Sequence, residues 1–133
     1  MKILYFTLAS FLLLNGCAQT PSNDKADSEA KLQEVLSDME LEPSGAIERI
    51  PNFQIDNWKY LDHYHVIIET RREQYLIAFQ TYCSGINNTL KIGYTSRTGS
   101  LTKFEKILVE QPLSQPEECY IEDIVKLNSL NAE

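Results

Sequence analysis

Two histidines occur at a spacing that suits metal chemistry. His63 and His65 are separated by one residue, and alternate side chains of an extended strand point to the same face. Two imidazoles joined by a carboxylate from Asp62 or Glu69 are a ligand set that zinc accepts. Two ligands do not complete a site, and the same pair is also expected as exposed or rim histidines. The sequence therefore predicts no metal cofactor. A metal-binding or metal-sequestering site at His63 and His65 is the alternative.

Motifs of common enzymes are absent from the sequence. It has no Gly-x-Ser-x-Gly nucleophile elbow, no His-Glu-x-x-His helix and no Gly-x-Gly phosphate loop. The 5 glycines leave little material for a phosphate-binding loop. Carboxylates cluster in Glu117-Glu118 and Glu122-Asp123, and we expect them to be solvated surface charges. We therefore expect no catalytic residue and no cofactor, with an enzyme of unrecognised type as a further alternative.

Residues 1–16 have the pattern of a secretory signal peptide. Lys2 supplies a positive charge, and residues 3–14 are almost wholly apolar. A spanning helix would need about 20 apolar residues, so this stretch is too short to be one. Leu14-Asn15-Gly16-Cys17 resembles a lipobox, the motif at which bacterial lipoproteins are cleaved and acylated, although Asn15 departs from the usual small apolar residue. The resemblance implies that Cys17 carries palmitate and other acyl chains. An ordinary cleaved signal and an uncleaved buried segment are the alternatives.

Acylation of Cys17 is the membrane attachment that the sequence predicts. A single acyl chain binds membranes only marginally, and each buried methylene contributes about 0.8 kcal/mol, so several chains give a durable anchor. Ala18 follows the cysteine, at a position where aspartate favours retention in the inner membrane in enteric sorting rules. We therefore expect an outer-membrane lipid anchor, with the domain facing the periplasm.

The remaining cysteines, Cys83 and Cys119, form an even pair once Cys17 is acylated. Exported proteins keep disulfides because their compartments are oxidising. Neither cysteine has an adjacent Lys or His that would activate a thiolate. The sequence therefore predicts a structural Cys83–Cys119 disulfide.

The charge of the chain excludes some classes of partner. There are 19 acidic and 12 basic residues, for a net charge of −7 at pH 7, and loss of Lys2 with the signal peptide makes the mature chain more acidic still. Nucleic acids and anionic lipid surfaces are bound through basic patches. We therefore expect no nucleic acid partner.

The mature chain is predicted to begin with a tether and a helix. Residues 17–26 are small and polar and contain Pro21, which is typical of a flexible tether after the lipidated N-terminus. In residues 27–42, apolar residues recur at helical spacing among acidic ones, which predicts an amphipathic helix that Pro43 ends. Its apolar positions are Leu32, Val35, Leu36 and Met39.

Residues 47–128 have the alternation and composition of a β domain, and residues 129–133 are left as a tail. Residues 64–70 and 75–81 are β-branched and aromatic and flank a charged four-residue turn. This pattern predicts a β-hairpin. Because both strands are apolar at nearly every position, the hairpin is expected at the centre of the fold.

A second hairpin and a last strand complete the predicted domain. Residues 90–96 alternate, and residues 101–109 return after a Gly-containing turn, with a twist or bulge expected in the return strand. Residues 119–127 predict a final strand with a bulge. The fold class is therefore mainly β, a small antiparallel sheet or partly open barrel of about five to six strands, preceded by one amphipathic helix and a cleaved signal peptide.

Tyrosine is frequent, with 7 residues in the chain. Tyrosine suits half-buried sheet surfaces, and it is also enriched at protein interfaces. Packing in the core or at its rim is the alternative to a partner surface. The tyrosines proposed for such a surface are Tyr64, Tyr75, Tyr94 and Tyr120.

Five spaced segments resemble a known family of small lipoproteins. They are Trp58-x-x-Leu61-Asp62, Tyr75-Leu76-Ile77, Cys83-Ser84-Gly85-Ile86, Ile92-Gly93-Tyr94-Thr95-Ser96 and Cys119-Tyr120-Ile121-x-x-Ile124. Their order is similar to that in the domain-of-unknown-function 6491 family of proteobacterial, Gram-negative lipoproteins. The resemblance implies an exported, disulfide-linked, β-rich single domain. It carries over no functional residues, because the family has no assigned activity.

These expectations combine into one functional prediction. The sequence predicts an outer-membrane-anchored periplasmic lipoprotein whose β domain is a non-enzymatic binding or envelope-structural module. Its predicted contacts are the membrane, through lipidated Cys17, and an envelope protein.

Overall fold

The structure, a computed structural model, describes residues 23–131. The predicted signal peptide (1–16), Cys17 and the first part of the predicted tether lie outside the described residues. Among the described residues there is one helix and nine strands, and no helix is long and apolar enough to cross a membrane. The elements are α1 (Asn23–Asp38), β1 (Leu41–Ile47), β2 (Arg49–Ile50), β3 (Asn57–Asp62), β4 (His65–Glu69), β5 (Gln74–Phe79), β6 (Ile92–Tyr94), β7 (Leu101–Thr102), β8 (Lys106–Val109) and β9 (Glu117–Ser129).

A curled antiparallel half-barrel forms around the long strand β9. Its six-strand order is β3-β4-β5-β9-β8-β6. One edge of β9 pairs with β5, and the other edge pairs with β8 near the start of β9 and with β1 near its end. Strands β2 and β7 form a separate two-stranded ribbon. The predicted mainly β, partly open barrel and its central hairpin, β4 and β5, are confirmed.

A bulge in β9 keeps Ile121 and Ile124 on the same face of the sheet. Ile121 and Ile124 are three positions apart, yet both lie in the same core cluster. Strict alternation would put them on opposite faces. The pairing with β5 steps from Asp123 to Ile121 and leaves out Glu122, which restores the alternation. The predicted bulge in the last strand is confirmed.

The two faces of the sheet bury two separate clusters. The inner core, on the concave face, contains Ile50, Phe53, Val66, Ile68, Tyr75, Ile77, Phe79, Cys83, Ile86, Ile92, Leu101, Ile107, Val109, Cys119, Ile121 and Ile124. The outer core contains Leu36, Leu41, Ile67, Leu76 and Leu127. Strands β4 and β5 contribute alternate residues to both clusters, which explains why they are apolar at almost every position.

Helix α1 covers the outer core and differs in extent from the prediction. It runs from Asn23 to Asp38, so residues 23–26 of the predicted tether are helical and the predicted end at residue 42 is too late. The first turn is held by Lys25, whose ammonium group bonds Glu122 and the carbonyl of Gln80. Local composition cannot predict such long-range contacts, so it did not indicate that residues 23–26 are helical.

Pro43, which was predicted to end the helix, lies inside strand β1. Pro43 cannot donate a ladder hydrogen bond, and proline in sheets is confined to edges and bulges. Strand β1 lies at an edge and pairs only with β9 among the described strands, and its register shifts between Pro43 and Gly45. Gly45 has a φ of 151°, which suits a bulge. The β domain therefore begins at Leu41 rather than residue 47, and it ends at Ser129.

The second predicted hairpin is divided between two sheets. Strand β6 pairs with β8 as expected, but residues 101–109 are not one strand, because β7 turns away to pair with β2. This detour buries Leu101 beside Ile50 in the inner core. The interruption that the sequence suggested is a turn between two strands.

Candidate functional site

The two histidines lie at the turn between β3 and β4, and their ring nitrogens face different partners. Nδ1 of His63 is 3.0 Å from the carbonyl oxygen of Cys83. Nδ1 of His65 is 3.0 Å from Ser28 Oγ and 3.1 Å from Asp62 Oδ1. Among residues 23–131, neither histidine belongs to a group of three or more ligand atoms from His, Cys, Asp or Glu within 4.8 Å of one another.

Ser28, Asp62 and His65 form a partly buried polar contact, called here the polar tie, between α1 and the sheet. A serine, a histidine and an aspartate are the residue types of a nucleophilic triad, but the geometry does not fit one. In a nucleophilic triad the hydroxyl and the carboxylate meet opposite nitrogens of the imidazole. Here both meet Nδ1, and Ser28 Oγ donates to Asp62 Oδ2 at 2.6 Å. The polar tie therefore attaches the helix to the sheet.

The carboxylate of Asp62 is the electrostatic centre of the polar tie. Partial burial raises the pKa of Asp62, but the hydrogen bonds from His65, Ser28 and the Tyr64 amide outweigh burial, so the pKa falls below its usual 3.8. The Tyr64 N–H donates to Asp62 Oδ1 at 2.7 Å, which shapes the β3–β4 turn. Asp62 thus orders the turn and holds the helix against it.

Four rings gather beside this turn and form what we call the aromatic corner: Tyr60, His63, Tyr64 and Tyr82. His63 stacks on Tyr82, with ring centroids 4.2 Å apart and an interplanar angle of 21°. Tyr60 meets His63 edge to face, and Tyr64 meets Tyr82 in the same way, each at 5.7 Å. Tyr60 and Tyr82 remain 42% and 51% exposed, so the corner is an aromatic surface rather than core.

The backbone beneath the aromatic corner is fixed by hydrogen bonds. The Cys83 N–H donates to the His63 carbonyl at 2.9 Å, and the Phe79 N–H donates to the Tyr64 carbonyl at 2.8 Å. Burial, followed by the charge of Asp62, raises the pKa of Tyr60, so its hydroxyl stays neutral. The corner is therefore a preformed patch at one end of the sheet.

The predicted tyrosine surface is not one patch. Tyr75 is buried in the inner core, and Tyr94 donates its hydroxyl proton to the Phe53 carbonyl at 2.7 Å. Tyr120 is 46% exposed and lies under the ammonium group of Lys106. Of the four predicted tyrosines, Tyr64 belongs to the aromatic corner. The prediction did not include Tyr60 and Tyr82. The features of the sequence that could have indicated them are that Tyr60 lies just before the β3–β4 turn and that Tyr82 precedes Cys83.

The Cys83–Cys119 disulfide is present, as predicted, with Cα atoms 5.7 Å apart. Both cysteines are buried in the inner core. The neighbouring Glu117 accepts hydrogen bonds from the Ser84 and Gly85 amides at 2.8 and 2.7 Å. Burial opposes ionisation of Glu117, but these bonds prevail and lower its pKa below 4.5. Glu117 and the two sulfurs lie within 4.8 Å of one another, but the sulfurs are bonded to each other and offer no thiolate.

A cleft of about 510 Å³ opens between the β4–β5 turn and the segment before β3. Its lining includes two basic residues, Arg71 and Arg72, and two acidic residues, Asp56 and Glu73. Apolar residues such as Phe53 also line the cleft. No histidine, cysteine or serine lines it. The cleft therefore brings together none of the nucleophilic residue types considered above.

Comparison with known proteins identifies the family. The profile of a family of unknown function, DUF6491, matches residues 1–133, the whole chain. The protein belongs to this family, as the five spaced segments indicated. No curated protein and no solved structure matches the chain.

Proposed function

We propose that this member of the DUF6491 family is an outer-membrane lipoprotein of the periplasm whose β domain binds another envelope protein. In this proposal the domain is non-enzymatic, Cys17 carries the lipid and the aromatic corner is the binding surface. The observation that carries the binding role is the corner itself, with Tyr60 and Tyr82 about half exposed on a fixed backbone.

The physical chemistry of the aromatic corner favours protein recognition. Tyrosine is enriched at the energetic centres of interfaces, because it buries a large ring and leaves a hydroxyl to hydrogen-bond. Rings that already stack on one another lose little conformational freedom on binding, so less of the interaction energy is spent on ordering them. The stacked pair of His63 and Tyr82 has this preorganisation.

The proposed location in the cell envelope is supported by the sequence. A positive start, a short apolar stretch and Gly16-Cys17 fit a lipoprotein precursor. Labelling cells with radioactive palmitate should mark the wild-type protein, and Cys17→Ser should abolish the label. Label retained in the variant would contradict the anchor.

The binding role is tested by crosslinking in intact cells. A photoreactive phenylalanine analogue placed at Tyr82 should capture one reproducible envelope protein. In a chain that also carries Tyr60→Ala, the yield should fall about tenfold or more, the effect of losing an interface residue worth about 2 kcal/mol.

Leu130 supplies the matched control, since it is exposed to the same degree as Tyr82 (51%) but follows β9 at the end of the strand opposite Cys119. The analogue at Leu130 should not capture the same protein, and Leu130→Ala should leave the Tyr82 crosslink unchanged. Equal capture from both positions, or none from Tyr82, would refute the binding surface. Circular dichroism of each variant checks that the domain is folded.

A further inference from the structure

Two leucines project fully into solvent from neighbouring loops. Leu90 lies before β6 and Leu113 lies between β8 and β9, and their side chains are 100% and 108% exposed. The loops are joined, because Thr89 Oγ1 lies 2.8 Å from the Lys91 carbonyl oxygen and 3.1 Å from that of Glu110 and can donate to either. We call Leu90 and Leu113 the leucine tips. Large apolar side chains at complete exposure contribute no burial to the stability of the fold.

The backbone of Leu113 is held in an unfavourable conformation. Its φ is 65°, in the left-handed region that a bulky side chain seldom adopts. Such strain persists where the surrounding structure imposes it, and it occurs preferentially at functional positions.

The leucine tips lie in two segments without charge. Residues 86–90 and 111–116 contain no Asp, Glu, Lys or Arg, and the exposed residues Lys91 and Glu110 border the two segments. Phe104 is also highly exposed, at 85%, but it has a charged residue on each side, Lys103 and Glu105, at the opposite end of β8. Insertion of the leucine tips at the interfacial layer leaves the charged heads of Lys91 and Glu110 in water, whereas burying the turn at Phe104 would remove two adjacent charges from water.

The N-terminal end of α1 lies beside the middle of β9 and points toward the end of that strand where the leucine tips lie. Lys25 in the first turn bonds Glu122, whereas the chain after the helix pairs Leu41 with Ser129 at the far end. Helix α1 therefore runs along β9, and its N-terminus is directed toward Glu117, where the two loops meet β9. Glu122 and Glu117 are five positions apart, about 16 Å along a strand.

The chain between Cys17 and α1 is short. Six residues, 17–22, precede Asn23, and they span at most about 20 Å when extended. A lipid on Cys17 would therefore keep the start of α1 within about 20 Å of the bilayer.

From this placement we propose that Leu90 and Leu113 insert into the interfacial layer of the membrane that the lipid anchor reaches. This inference rests on the proposed function for the source of the anchor. The leucine tips set the orientation of the domain, with α1 rising from the membrane and the Leu130 end of β9 farthest from it. The aromatic corner lies at the membrane-proximal end, so a partner bound there would itself lie at the membrane surface.

The test uses tryptophan fluorescence in vesicles. Trp58 is the one tryptophan in the chain, so Trp58→Phe gives a background in which Leu113→Trp is the only emitter. The full chain, purified from bacterial envelopes, is reconstituted into phosphatidylcholine vesicles with and without brominated acyl chains, which quench tryptophan on contact. Matched chains carry Phe104→Trp or Leu130→Trp in the same background.

We expect severalfold lower emission from Leu113→Trp in brominated vesicles, and little change from the other two chains. In a chain that begins at residue 18, which has neither the lipid nor the apolar residues 3–14, Leu90→Ser with Leu113→Ser should weaken partition into vesicles by about tenfold or more, from the loss of two buried leucines. Equal quenching at all three positions, or none at Leu113→Trp, would overturn the proposal. So would self-association through the leucine tips without quenching, since that would assign them to a second copy of the chain.

Mass spectrometry of the same preparation separates this inference from the proposed function. Acylated Cys17 without quenching at Leu113→Trp defeats the insertion alone. Quenching in a chain whose Cys17 carries no acyl group defeats the lipid anchor and leaves the insertion supported.

Discussion

The two faces of the sheet are stabilised in different ways. The inner core joins residues from nearly every strand and contains the Cys83–Cys119 disulfide. The outer core has five buried residues, of which Leu36 alone comes from α1, and beside it lies the polar tie of Ser28, Asp62 and His65. From this difference we predict that the inner face maintains the domain, and that α1 can detach from the outer face without unfolding the sheet.

Removing the disulfide should have the largest effect on the inner face. Cys83→Ala with Cys119→Ala opens a loop of 36 positions, for which chain entropy gives about 3–4 kcal/mol of lost unfolding free energy. Urea denaturation followed by circular dichroism measures this loss. Cys17→Ser is the matched control and should leave the unfolding midpoint unchanged. A double alanine variant as stable as wild type would show that the inner core does not depend on the crosslink.

Truncation of Leu36 tests whether the outer face is separable. Leu36 is fully buried under α1, and Leu36→Ala should cost about 2–3 kcal/mol of local stability. Hydrogen exchange should accelerate in residues 23–38 and stay slow in β5. Ile77→Ala, on the opposite face of that strand, should accelerate exchange throughout the domain. Uniform acceleration in both variants would mean that the two faces unfold as one unit.

Gly85→Ala should disturb the inner face locally. A Cβ at this position would lie 2.8 Å from Glu117 Oε2 and 2.9 Å from Gln111 Nε2, so the ends of these two flexible side chains must shift, which weakens the hydrogen bond from the Gly85 amide to Glu117. We expect a loss of about 1 kcal/mol in unfolding free energy, measured by urea denaturation. Gly99→Ala is an informative contrast, because no atom lies within 4 Å of its added Cβ and its cost comes from a φ of 77° alone. Combining Gly85→Ala with Glu117→Ala should recover part of the loss, and no recovery would place the strain elsewhere.

Acid should loosen the outer face through Asp62. The folded-state pKa of Asp62 is lowered, so its stabilising contribution is present above the unfolded value of 3.8 and is lost as pH falls through the folded value. The protection factors of the α1 amides, which compare measured exchange with intrinsic exchange at the same pH, should therefore fall as pH drops below 3.8, and Asp62→Asn should remove most of this fall. The pKa of Glu117 is also lowered, so Glu117→Gln shows how much of the acid sensitivity of the inner face comes from Glu117. Protection factors of α1 that stay constant with pH in the wild type would exclude the polar tie as the attachment.

Predictions from the sequence succeeded where the pattern is local and failed where a distant contact decides. The central hairpin and the bulge in β9 were predictable because alternation and β-branched composition are local and strong from residue 64 onward. The limits of α1 were misplaced because Lys25 reaches Glu122, 97 positions away. Strand β1 was missed because Pro43 and Gly45 indicate a break unless the position is known to be an edge with a bulge. The aromatic corner was missed because Tyr60 and Tyr82 meet only when β3 and the end of β5 are brought together.

The sequence by itself determined the fold class, the cysteine pair and the family, since periodicity, composition and motif order are properties of the chain. Tertiary structure decided where the chemical groups meet. His63 and His65 contact different partners in the folded chain. The exposed rings of Tyr60 and Tyr82 come together in the aromatic corner, which their spacing in the sequence did not indicate. Leu90 and Leu113 are fully exposed, in two neighbouring loops. These are contacts between residues distant in the chain, and only the folded sheet sets their distances.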